Sequence, residues 1–420
     1  MLGLKSALWT KLVVADMARI VRKVLSYQAL AAGLCLAMPA AALDLLPESP
    51  LTIRPNLQLE LGYDENINQT DNADDKQSSL FTTLSPQIGF FGQQTGDRYY
   101  AYYQPRLTLY SSESDRNRFS QALRLGTSQD LDARNQLSLD VSLDDIEEPL
   151  TDINEASGES ENERRVTRVS TSWDFGAPGA RGGLGLDAAY RWQRYGNNLV
   201  GGSNLVDGSN NRSREYNNPS LRGRFSVRLT GKTRGIVELG YSDFDYQWAG
   251  SDLDSYNLSA LTGLSWDVTG KTSGDVRVGR ERKIFRADGP DNRSTNTWRV
   301  GATWNPRSQD RLRLQTSNRL REGSSRENVI ESRDTTLRWN HDWTGRVSTA
   351  VELGYRINDY YGGSRDGRED KLTRVELGID YGFRRWLDLG FRIRRLDNDS
   401  NQPGGGYQRD TIFFNVSLNI

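Results

Sequence analysis

The sequence predicts an all-β protein, a transmembrane antiparallel β-barrel of about eighteen strands. Three observations predict it. From Leu51 onward, units of about ten residues alternate apolar and polar side chains, the period of a strand with one greasy and one wet face. The connections between units are by turns short and long, the pattern of periplasmic turns and extracellular loops. Aromatic residues gather at the ends of the greasy faces, where amphipathic rings meet a membrane interface.

The chain opens on an export signal. Arg19, Arg22 and Lys23 precede an apolar run from Val24 to Met38, and Ala40, Ala41 and Ala42 follow. That is the order of a signal peptide, so residues 1–42 are expected to be removed after Sec export, with Met17 an alternative start. The only cysteine, Cys35, lies inside the apolar run. Leu34 precedes it, where a lipoprotein signal wants a small residue. The mature chain is therefore expected to hold no disulfide. Residues 43–50 read as a short periplasmic segment, too short for a plug domain, and 51–420 as the barrel. No apolar run of about 20 residues follows the signal, so no helical span is expected.

Ile53, Leu57, Leu59, Leu61 and Tyr63 make the greasy face of the first strand. Leu84, Ile88 and Phe90 mark the second, and Tyr99, Tyr103, Leu107 and Leu109 the third. Phe119 to Leu125, Leu137 to Leu143, Val169 to Phe175 and Leu184 to Trp192 give the next four. Leu221 to Leu229, Val237 to Tyr241, Leu258 to Trp266, Val276 with Val278, and Trp298 to Trp304 carry the count to twelve. Leu312 and Leu314 mark a weak thirteenth, Leu337 and Trp339 a fourteenth. Val347–Ile357, Val375–Phe383 and Leu387–Ile393 precede the C-terminal strand. There Ile412, Phe414, Val416, Leu418 and Ile420 alternate with residues that are polar but for Phe413. A closing strand at the C-terminus resembles the assembly signal of outer-membrane barrels, which implies the barrel-assembly machinery as a partner. Ile420 stands where that signal usually has an aromatic.

Short turns are expected at 92–97, 130–134, 176–181, 231–232, 270–271, 305–310, 340–345 and 384–385. Longer loops are expected at 64–79, 111–118, 145–163, 196–215, 247–254, 286–295, 321–331, 358–370 and 396–410. This places both termini on the periplasmic side of a bacterial outer membrane, with lipid and lipopolysaccharide around the barrel.

The function classes narrow with the charges. Acidic and basic residues nearly cancel, 55 against 54, yet only eight of the basic residues are lysine, leaving 46 arginines. If greasy faces meet lipid, the other faces line the lumen. That set contains Arg54, Arg106, Arg124, Arg168, Arg191, Arg222, Arg224, Arg228, Arg277, Arg299, Arg313, Arg319, Arg338, Arg356, Arg374, Arg392 and Arg394. Glu60, Asp140, Glu238, Asp275, Glu352, Glu376, Asp380 and Asp388 share it. A barrel of 16–18 strands can hold an aqueous channel, and charged rings in a pore select by sign. The arginines are thus a path for an anionic or hydroxyl-rich solute, or a wall of ion pairs that holds the strands in register. Glycines on the same face, such as Gly62, Gly89, Gly126, Gly378 and Gly390, either keep the bore open or relieve curvature.

The loop read as 145–163 is strongly acidic, with Glu147, Glu148, Asp152, Glu155, Glu159 and Glu161. It is expected to rest in the mouth above the arginines as a gate. The alternative is a solvated loop that repels phage or binds calcium beside lipopolysaccharide. Asp71, Asp74 and Asp75 read as a solvated acidic loop. No metal site, cofactor or nucleic-acid partner is expected. The single histidine, His341, falls in an expected periplasmic turn, so no catalytic residues are assigned.

The segment Leu57-Gln-Leu-Glu-Leu-Gly-Tyr-Asp-Glu-Asn-Ile, then Leu84-Ser-Pro, then the tyrosine-rich strand Tyr99 to Tyr110 resemble the beta-barrel porin family linked to exopolysaccharide operons, the EpsL-like proteins. Gly62-Tyr63-Asp64-Glu65-Asn66 is the specific part. The resemblance implies an outer-membrane exit for a secreted polysaccharide, working with a periplasmic export protein. The other readings are a diffusion porin for small anionic solutes and a surface barrel whose loops bind a partner.

Overall fold

The computed structural model describes residues 51–94, 96–148, 162–177, 179–196, 211–323 and 326–419. The export signal and the segment 43–50 lie outside them. So do Asp152, Glu155, Glu159 and Glu161 of the acidic loop.

Eighteen strands follow one another: β1 (Leu51–Asp64), β2 (Ser79–Gln94), β3 (Asp97–Tyr110), β4 (Arg118–Asp130), β5 (Asn135–Glu148), β6 (Asn162–Phe175), β7 (Gly182–Tyr195), β8 (Tyr216–Thr230) and β9 (Thr233–Tyr246). The second half runs β10 (Ser255–Thr269), β11 (Thr272–Phe285), β12 (Arg293–Trp304), β13 (Asp310–Glu322), β14 (Val329–Asp342), β15 (Val347–Tyr361), β16 (Glu369–Arg384), β17 (Leu387–Ser400) and β18 (Tyr407–Asn419). Each pairs with its sequence neighbours, and β1 pairs antiparallel with β18, from Asn56 opposite Asn419 to Asp64 opposite Thr411. The sheet closes on itself, as a spanning barrel must to satisfy its backbone in the membrane.

The expected alternation holds through the wall. Leu61, Leu125, Leu139, Leu186, Leu239, Leu264, Leu353 and Ile379 are exposed on the outer face, where lipid rather than water would meet them. The weak thirteenth strand is a full strand. The connections 196–215 and 247–254 have the expected bounds, and several other long loops are shorter than expected because strands run on beyond the greasy band. The last three connections at that end are 323–328, 362–368 and 401–406. Residues 145–148 likewise belong to β5, with Glu147 opposite Glu163 and Glu148 opposite Asn162 of β6. Polar strand residues beyond the membrane band carry no hydropathy signal, which is why the sequence under-reads their ends.

At the short-turn end the aromatic belt is richer than expected. Trp343 and Trp386 join Trp304 and Phe383 as exposed rings. His341 is in β14, not in the turn, and packs tilted against Trp339 and edge-on to Trp343. Its Nδ1 lies 2.7 Å from Asp310 Oδ1, which also accepts from Trp339 Nε1 at 3.0 Å. The histidine therefore belongs to the belt. In the β4–β5 turn, the Arg134 backbone N–H and the Asn135 side chain hold the Asp132 carboxyl below the usual range.

Candidate functional site: the arginine-lined lumen

Because side chains alternate across each strand, every arginine assigned to the wet face stands opposite in parity to the exposed leucines. The lumen then divides into paired and unpaired sectors. On β14 to β17 the arginines have partners: Arg356 with Asp334 at 2.8 Å, Arg374 with Glu352 at 3.4 Å, Arg338 with Glu352 at 3.6 Å, Arg394 with Glu376 at 2.7 Å. Arg392 grips both oxygens of Asp380 through one nitrogen, at 2.6 and 2.7 Å. Glu238 on β9 is a hub, 1% exposed, with Arg277 at 2.6 Å, Arg299 at 3.2 Å and Arg222 at 3.5 Å. Arg224 meets Asp174 at 2.6 Å, and Arg124 pairs with Asp144. Here the wall of ion pairs is real, and each pair ties strands one to three places apart in the sheet.

Arg54, Arg106, Arg168, Arg191, Arg228, Arg313 and Arg319 make no ion pair among the described residues. Three of them lie on β6, β7 and β8, and two of those stand face to face, Arg168 opposite Arg191. Arg191 donates to Gln193 Oε1 at 2.9 Å and lies over the Tyr216 ring. Like charges directly opposite across a sheet are unfavourable, and no ion pair among the described residues relieves this one. Which arginines would be neutralised depended on through-space partners.

The glycines on the lumen face serve a third purpose. A Cβ at Gly62 would come within 2.5 Å of Phe81 Cζ, and one at Gly378 within 2.6 Å of Arg392. They are beds across which large side chains of the adjacent strand lie.

The specific motif also has a place. At the long-loop end of β1, Asp64 is 1% exposed and accepts from Arg409 Nε at 2.9 Å on Oδ2 and 3.1 Å on Oδ1. Asn66 donates its backbone N–H to Asp64 Oδ1 and its side-chain amide to the carbonyls of Thr70 and Gln408. Asp64 and Asn66 thus latch the closing seam between β1 and β18.

One functional element was missed. Pairing of β12 with β13 stops at Trp298 opposite Asn318. Above that point the β13–β14 hairpin leaves the wall and leans inward. Asn318 and Glu331 have the parity of lipid-facing residues, yet they bind the inward-facing Thr295 of β12 at 3.0 Å and through a short bond respectively. Leu320 and Val329 pack with Tyr216, Tyr246, Leu253 and Phe285 into an apolar core inside the mouth. Lys283, fully buried, bonds both oxygens of Glu322 at 2.7 and 2.8 Å, and Tyr246 Oη donates to Glu322 at 2.9 Å. The loop 362–368 locks the tip: Arg365 pairs with the fully buried Glu327 at 3.1 Å, and its backbone N–H donates to the Arg326 carbonyl. The available signal was the failure of the greasy face above Leu314, where Thr316 and Asn318 stand.

A closed wall with an apolar exterior, aromatic belts and a charged, partly narrowed lumen defines an outer-membrane channel of the porin class. Within that class the chain belongs to the family described as "Putative beta-barrel porin 2", whose model matches residues 50–420. No curated protein matches the sequence. Among solved structures the chain is similar to Pseudomonas aeruginosa OpdO, with 13% identity over 88% of this chain and 97% of that one and a TM-score of 0.46. It is similar to OpdK of the same species, solved with vanillate, with 12% identity over 88% and 99% and a TM-score of 0.46. Acinetobacter baumannii OccAB4 gives 9% identity over 88% and 98%, with a TM-score of 0.43.

Proposed function

We propose that this porin passes a polysaccharide outward across the outer membrane, with a lumen suited to acidic glycans. The observation that carries the reading is Arg168 of β6 standing opposite Arg191 of β7, neither in an ion pair among the described residues. A chain of carboxylates moving along that wall would replace the missing partners one after another, binding at each without being held. The resemblance around Gly62 to Asn66 to barrels of exopolysaccharide operons supports the same cargo. A periplasmic export protein would deliver the polymer to the short-turn end. Sec export and the barrel-assembly machinery would bring the protein to its membrane, where lipopolysaccharide surrounds it.

The acidic segment between β5 and β6 belongs to this proposal. Asp152, Glu155, Glu159 and Glu161 lie outside the described residues; as acidic side chains between β5 and β6 in the chain they would compete with an acidic cargo for the lumen arginines. Deleting 149–161 is expected to raise single-channel conductance; an unchanged conductance in an assembled barrel rejects this competition.

The deciding experiment is genetic. In a strain lacking the protein, surface polymer should fall and polymer should accumulate in the periplasm. Normal secretion would favour the second reading, a diffusion porin for small anionic solutes, which the narrowed mouth also suits.

A further inference from the structure

Phe413 interrupts the polar face of the last strand, and the fold gives it a setting. It faces the lumen from β18, opposite Gly62 of β1. The Phe81 ring of β2 lies across Gly62, its centroid 6.5 Å from that of Phe413. Tyr110 stands 6.2 Å beyond Phe81. The Arg394 guanidinium sits 5.4 Å over Phe413. Tyr110 is buried, but the Phe81 and Phe413 rings are only half-buried. They bound a cavity of about 290 Å³, with Thr83, Thr108, Thr411, Glu60 and Arg106 on its other sides. A second cavity of about 1000 Å³ continues toward the short-turn end, lined by Ser308, Asp342 and Ser348 among others. Both cavities share Glu60, Arg394 and Phe413. Phe413 thus stands at the junction of a continuous track along the β17–β18–β1 wall, about half-way round the ring from the β8 arginines.

A half-exposed aromatic face in a watery bore costs free energy unless something apolar covers it. The occupant must also satisfy a rim of hydroxyls and charges, because polar groups around an apolar floor fix orientation. A pyranose ring has both properties: one face of C–H groups and an edge of hydroxyls. We infer that Phe81 and Phe413 form a stacking platform for one pyranose unit of a saccharide threading the lumen. Glu60 accepts from its hydroxyls, and Arg106 and Arg394 donate to its oxygens. This inference deepens the glycan reading above and rests on it for the direction of transport, though not for binding.

The test is current blockade in planar bilayers by two hexasaccharides, maltohexaose and a glucuronic acid hexamer, added to the purified full barrel. F81A and F413A are each expected to weaken blockade at least about tenfold, read as the blockade constant relative to each variant's own open-channel current. F413Y should keep the affinity within about threefold, and F413L, apolar but not flat, should lose it like F413A. F81A lies away from the closing strand, so it reports even if F413A fails to assemble. No blockade of the wild-type channel by either sugar, or equal blockade constants in wild type, F81A and F413L, overturns the platform. Normal polymer secretion by a null strain, with blockade still dependent on Phe81 and Phe413, would leave the platform standing and sink only export.

Discussion

Arg168 and Arg191 face each other across the β6–β7 ladder, both turned into the lumen and neither in an ion pair with a described carboxylate. Elsewhere in the bore, as at Arg392 and Asp380, the guanidinium is already satisfied. Selectivity should therefore depend on which arginine is removed, not on how many.

Replacing Arg168 and Arg191 together by Ser is expected to shift the anion-to-cation permeability ratio strongly toward cations. Relief of like-charge repulsion should leave stability unchanged or raise it by about 0.2–1 kcal/mol. The R224S variant, which breaks the bridge to Asp174, should shift the ratio less per charge and lower stability. Reversal potentials under a salt gradient and urea unfolding read both quantities. The same shift per charge from the paired and unpaired sites would reject the distinction.

The inward hairpin predicts a conductance phenotype independent of the Arg168–Arg191 pair. Gly363 has φ +64°, and a Cβ there would lie 2.3 Å from the Arg326 carbonyl oxygen. G363A should unseat the loop that holds the tip, at a cost of about 1–3 kcal/mol from backbone strain with the clash added. K283M leaves Glu322 buried without its cation, and loss of one partner of such a pair costs about 3–5 kcal/mol. Both variants should raise single-channel conductance and expose 323–328 to protease. Wild-type conductance with confirmed cleavage in the loop would mean the hairpin does not narrow the pore.

The seam latch predicts a loss of barrel stability. In D64A, Arg409 keeps its partly buried position without its carboxylate, and the Asn66 backbone N–H loses its acceptor. A fall of about 3–5 kcal/mol is expected, seen as a lower temperature for the shift from folded to unfolded mobility on gels. D64N, which keeps the shape and the acceptor for Asn66, should lose less. Equal stability of D64A and wild type would remove the latch from the account.

Much of the fold was legible because its rule is local. Side-chain parity in a strand depends only on the backbone pleat, so alternation placed eighteen strands, their lipid faces and the lumen arginines without knowledge of any partner. Closure of β1 on β18 followed from the same pattern, since a greasy strand at either end has no other way to satisfy its edge. The ends of the strands were less legible, because above the membrane both faces are wet and the period carries no contrast.

What the tertiary structure decided was neighbours. Whether an arginine is neutral or available is set by whether a carboxylate reaches it from another strand, as Asp174 reaches Arg224 across fifty positions of sequence. Asn318 and Glu331 carry the parity of lipid-facing residues, and only the departure of β13 from β12 turns that face onto Thr295 and the inner wall. Phe413 breaks the alternation in the sequence, and only the Phe81 ring laid over Gly62 gives the break a physical meaning. Periodicity reports which way a side chain leaves its own backbone; what it meets there is fixed by chain segments far away, brought close only when the barrel closes.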